Sequence, residues 1–128
     1  MKYYINKTIT TEFNKAVELV TEALKKEGFG VLSEIDIQQK LNEKLDVDFR
    51  KYKILGACNP PNAYKALQQE DKIGTMLPCN VIIQEVNESQ VEVAAVNPVA
   101  SMMAVENNQL AGIAGEIKAK LERVIASL

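Results

Sequence analysis

Short stretches of period two alternate with stretches of period 3.6 along the whole chain, and only a few architectures accept that alternation. Tyr3, Ile5 and Ile9 fall on one face of an opening strand. Phe13, Ala16, Val17, Val20 and Leu24 then recur at helical spacing. Thr10 and Thr11 stand where a cap is needed, Glu12 lies near the helix start, and Lys25-Lys26 lie near its end, which suits the macrodipole. Gly28 is a natural stop.

The pattern then repeats. Gly30 to Ile35 reads as a strand, and Asp36 caps a short helix carrying Ile37, Leu41 and Leu45 on one stripe. Tyr52 to Cys58 reads as a third strand. Asn59 is placed to cap a helix with Pro60 at its first position and Ala63, Ala66 and Leu67 on its buried face. Asp71 to Pro78 reads as a loop, and Asn80 to Val86 and Gln90 to Val96 as a hairpin with its turn near Glu88-Ser89. Asn97-Pro98 repeats the cap-plus-proline signal before a short helix from Val99 to Ala104. A last helix from about Asn108 to Ser127 carries Leu110, Ile113, Ile117, Leu121, Val124 and Leu128 as its stripe.

The order β-α-β-α-β-α-β-β-α predicts one α+β domain over residues 1–128. It has two layers: a mixed or antiparallel five-stranded sheet with helices mainly on one face. A chain of 128 residues needs no staples to hold such a core.

Composition removes whole classes of chemistry. There is no His, so Ser-His and Cys-His nucleophile pairs, His general bases and His-ligated metals are excluded. Two cysteines, Cys58 and Cys79, are too few for a disulfide scaffold or an all-cysteine zinc site, so no metal and no cofactor is expected. The net charge of −2 comes without a basic stripe, which argues against nucleic-acid binding. No apolar run reaches the ~20 residues of a membrane span, and the N-terminus has no signal-peptide core. A cytoplasmic location is expected.

Four features can carry chemistry. Cys58 ends a strand just before a helix cap, and Cys79 begins another just after Pro78. Antiparallel pairing of those strands brings the two thiols to one end of the sheet. The competing reading is two small core residues, since free Cys is among the most buried types. Asn59-Pro60-Pro61-Asn62 and Gly74 to Pro78 can line one cleft, where helix-start N–H groups suit an anion. The blander alternative is that Asn59-Pro60 merely starts a helix. Glu85 stands opposite Glu92 if the hairpin loop has two or four residues and not if it has three or five, and a solvated pair or the other register is the simpler reading. Gly112 and Gly115 point to a close backbone approach, by the chain's own sheet rather than a second subunit. Met102-Met103 read as core methionines before interface ones.

Tyr52-Lys53-Ile54-Leu55-Gly56-Ala57-Cys58-Asn59-Pro60, followed by Ile73-Gly74 and Leu77-Pro78-Cys79-Asn80-Val81, resembles the bacterial and archaeal family called domain of unknown function 302. The opening strand, the first helix and Val96-Asn97-Pro98 resemble it too. The two Cys-Asn steps with their prolines are its most specific parts. The resemblance implies a compact α+β fold that is dimeric, found alone or beside redox and sulfur-handling domains. It implies no established activity and no agreed catalytic residues.

The leading reading is therefore a non-catalytic binding or interaction module. It is expected to be a homodimer, with a small-molecule site near Cys58, Asn59, Pro60, Pro78, Cys79 and Asn80. The alternative is a thiol-dependent redox or sulfur-relay protein using Cys58 or Cys79. A carboxylate-based hydrolase or transferase is weakest, for want of a nucleophile–base set.

Overall fold

A computed structural model describes residues 1–128. Five strands form one open sheet in the order β1-β5-β4-β3-β2, and every pairing is antiparallel. The strands are β1 (Tyr4–Thr10), β2 (Gly30–Asp36), β3 (Tyr52–Cys58), β4 (Cys79–Glu85) and β5 (Gln90–Val96). The helices are α1 (Phe13–Lys26), α2 (Ile37–Leu45), α3 (Pro60–Gln69), α4 (Pro98–Ser101) and α5 (Leu110–Ala126). The segment expected to be loop contains a 3-10 helix, Asp71–Met76, that buries Ile73. A second 3-10 turn, Met102–Ala104, follows α4.

Strand alternation sorts the sheet into two faces. Leu55 and Ala57, Cys79, Val81 and Ile83, and Val91, Val93 and Ala95 point under the helices. There they meet Ala16, Val20 and Leu24 of α1 and Ile117, Leu121 and Val124 of α5. Ile82 and Ala94, on the other face, stay half-buried with no helix over them. A second, smaller cluster joins Ala66, Ile73, Met102, Leu110 and Ala114 at one end of the sheet. No helix is long and apolar enough to cross a membrane.

Local chemistry sets the boundaries, with some corrections. Glu12, rather than Thr10 or Thr11, caps α1, because its carboxylate accepts from the Lys15 N–H. Gly28 takes φ 83°, and the N–H groups of Gly28 and Phe29 close on Lys25 and Leu24, so α1 ends there. Asp36 caps α2 through the Gln39 N–H. α2 buries none of its residues; it touches β3 but contributes no side chain to either hydrophobic cluster. On α3 the buried residues are Asn62 and Ala66, whereas Leu67 is exposed. On α5 the inward stripe runs through Ala114 and Ile125, and Ile113 sits at its edge.

At the hairpin the simpler of the two readings holds, and at α5 one expectation fails. The hairpin loop has three residues, Asn87 to Ser89, held by the Asn87 side chain accepting from the Ser89 N–H. That register puts Gln84 opposite Glu92 and Glu85 opposite Val91, so the carboxylate pair does not form. Glu92 instead accepts from Asn6 and Gln84, each at 2.8 Å. Gly112 and Gly115 are exposed with open space where a Cβ would stand, so they do not mark a close approach to the sheet. Met102 is buried and Met103 is exposed.

Candidate functional site

A cavity of about 330 Å³ opens at the end of the sheet where β3 stops and β4 begins. It lies between the two hydrophobic clusters. Phe29, Ala57, Cys79 and Ile117 border it from the main core, and Ala66 and Met102 from the smaller one. Leu32 and Leu67, both well exposed, stand at its rim. Of its 14 lining residues 11 are hydrophobic, and none is charged.

The structure gathers Cys58, Asn59, Pro78 and Cys79 around this space, together with Gly74 and Leu77. Pro60 does not border it, and Asn80 lines a different concavity on the helix-free face. Phe29, Leu32, Met102 and Ile117 are lining residues that the sequence reading did not assign to a site. They come from segments remote in sequence, and no spacing rule links them.

Cys79 stands directly opposite Ala57 in the β3–β4 ladder. Cys58 is one residue further on, which puts the two Cα atoms about 6 Å apart by strand geometry. Cys58 is half-buried and Cys79 is buried, and both are free. Burial, and secondarily the charge of Cys58, push the Cys79 thiol from the ordinary 9.0 up to about 11. At neutral pH Cys79 is therefore a protonated thiol and a poor nucleophile.

Asn59 is fully committed. Its side-chain oxygen accepts from Asn62 N–H at 3.4 Å and from the Asn62 amide at 3.0 Å. Its own amide donates to the carbonyls of Glu27 and Gly28. Asn97 follows the same plan, accepting from Val99 N–H and donating to the Lys2 carbonyl. Each Asn-Pro step thus starts a helix and ties it to a distant segment. Anion binding at the α3 start loses its donors: Pro60 and Pro61 have no N–H, and Asn62 N–H is taken. No group of three or more His, Cys, Asp or Glu side chains comes together anywhere in the chain.

A crystal structure of an uncharacterized conserved protein DUF302 from Bacillus stearothermophilus is similar to this chain. It has a TM-score of 0.90 at 28% identity, over 98% of each chain. No curated protein matches. The family described as Domain of unknown function DUF302 matches residues 5–128, and the chain belongs to that family.

Proposed function

We propose that this chain is a non-catalytic binding domain that takes a small, uncharged, apolar ligand into the cavity beside Cys58 and Cys79. The observation that carries this reading is the lining: 11 of 14 residues are hydrophobic and none is charged. The volume of about 330 Å³ falls at the lower end of the usual range for ligand pockets. The consumed donors at the α3 start further favour an uncharged ligand over an anion. Binding of Nile red, a neutral apolar dye, tests the reading. Saturable fluorescence that is lost in Leu67→Asp, a substitution at the exposed rim, is expected. Equal binding by that variant, or no saturable binding, overturns the site.

A second reading, a thiol redox or sulfur-relay protein, is favoured by the two free cysteines one residue out of register. A Cα spacing of about 6 Å lies inside the disulfide range of roughly 4.4–6.8 Å. Oxidation by glutathione disulfide would join Cys58 to Cys79 and release two glutathione thiols. Mass spectrometry after equilibration in glutathione buffers tests this, and failure to find a reversible intramolecular bridge removes it.

Self-association and a cytoplasmic location belong to the same reading. The free thiols suit a reducing compartment. Exposed Leu32, Ile35, Leu45 and Val47 on the β2–α2 edge favour a second copy. Light scattering reporting a single 14.2 kDa chain at high concentration would count against a homodimer.

A further inference from the structure

We propose that the helix-free face of the sheet binds a small organic ammonium ion carrying an apolar group, with Glu92 as its counter-ion and tyrosine rings as its walls. This is a second site, and it rests on nothing proposed for the cavity beside the cysteines. A concavity of about 420 Å³ lies on this face. Three of the chain's four tyrosines, Tyr3, Tyr4 and Tyr52, border it, although aromatic residues make up only 5% of the chain. Tyr52, Gln84 and Glu92 stand opposite one another across β3, β4 and β5, so they share one face. Ile82 and Ala94 pair in the neighbouring row and form the apolar part of the floor.

Charge selects the ligand. Glu92 is the only charged residue lining the concavity, it is half-buried, and it makes no salt bridge. Its two oxygens each accept one amide hydrogen, from Gln84 and from Asn6 at 2.8 Å, which fixes the carboxylate without neutralising it. A carboxylate has about four acceptor positions, so each oxygen keeps room for an ammonium N–H. The rings favour the same sign of charge, because their faces are electronegative. The chain's own cations show this attraction: Lys2 Nζ lies 5.6 Å from the Tyr4 ring centroid, and the Arg50 guanidinium carbon lies 5.8 Å from that of Tyr52. Arg50 donates to Gln84 and stacks on Phe49, so it is held outside the concavity rather than against Glu92. An anion would be repelled by Glu92, and a neutral apolar molecule would desolvate the carboxylate without pairing it.

Three probes of similar shape and different charge test this on the whole chain: phenethylammonium, 2-phenylethanol and 3-phenylpropanoate. The methyl NMR signals of Ile82 and Ala94 report occupancy. The cation should bind saturably and about tenfold more tightly than the alcohol, near what one hydrogen bond to a charged group contributes. The propanoate should not bind. Glu92→Gln should lower the cation affinity by about tenfold and leave alcohol binding unchanged, which a merely disturbed fold would not do. Tyr3→Leu, at an exposed ring, should weaken the cation several-fold while circular dichroism stays native. Equal binding of the three probes, no saturable shift with the cation, or undiminished cation affinity in Glu92→Gln overturns the proposal. If Glu92→Gln does not fold, the ranking of the probes on the native chain and the Tyr3→Leu variant decide. The two concavities share no lining residue. Failure of Nile red binding therefore removes the apolar-ligand reading and leaves the ammonium site standing, and failure of the cation does the reverse.

Discussion

Gly56 of β3 and Pro78 meet so closely that a Cβ built on Gly56 would lie 2.8 Å from Pro78 Cγ and would also strike the Ser33 hydroxyl. Ser33 stands opposite Gly56 at the bulge in β2, and Pro78 borders the cavity. One missing side chain therefore lets three segments close around the thiol end of the sheet. Gly56→Ala should destabilise the fold by about 1–3 kcal/mol, the usual cost of overpacking. It should also disturb Nile red binding by displacing Pro78. A denaturation midpoint equal to the native one would show that the contact can relax freely.

The thiol pair predicts a specific pH dependence. The folded-state pKa of Cys79 is raised to about 11, so the unfolded chain releases this proton first as pH rises. The stabilising contribution is complete below about pH 9 and is lost as pH climbs to about 11. Between pH of about 8 and about 10.5 the native chain should lose about 2 kcal/mol more than Cys79→Ala. Urea unfolding at the two pH values measures this. Parallel slopes for the two proteins would mean that Cys79 ionises normally in the fold.

Most elements were legible in the sequence because local chemistry set them. β3 and β5 begin and end where the pattern places them, and Asp36, Gly28 and Asn59 act as punctuation in the expected places. Neighbouring of the thiol-bearing strand ends followed from one antiparallel assumption, which the β3–β4 ladder meets. The rest depended on tertiary context. Loop length decided between two open registers for Glu85 and Glu92, and a single residue in the turn sets which one forms. Leu67 fits the apolar spacing of α3 but lies over a cavity mouth, so the periodicity was real and the burial was not. The glycines of α5 carried no information on packing, since both face open space. The cavity itself has no sequence signature, being the gap left where two core clusters fail to merge.

Leu121 of α5 is 0% exposed and sits in the main cluster between the helix layer and the sheet. Leu121→Ala should cost about 2–5 kcal/mol, the loss of transfer free energy plus the void left behind. Ile113→Ala, at the edge of the same stripe, should cost less, because that side chain is only half-buried. Urea midpoints of the two variants rank them, and the reverse order would place the packing face of α5 elsewhere.

Asn59 should prove costlier to remove than an ordinary helix cap. A cap lost to Ala costs about 0.5–2 kcal/mol. Here the same oxygen also accepts from the buried Asn62 amide, and the Asn59 amide binds the last carbonyls of the α1 terminus. Asn62 is already incompletely satisfied, since its own side-chain oxygen has no partner. Asn59→Ala leaves the whole Asn62 side chain unpaired in the interior, which adds about 1–3 kcal/mol. The expected total is about 2–4 kcal/mol. Asn62→Ala removes the stranded amide, so Asn59→Ala should cost markedly less in that background. A double-mutant cycle by urea denaturation isolates this coupling. Additive costs would show that Asn59 acts only as a cap, and that the tie between the α1 and α3 termini contributes little to closing the cavity end of the sheet.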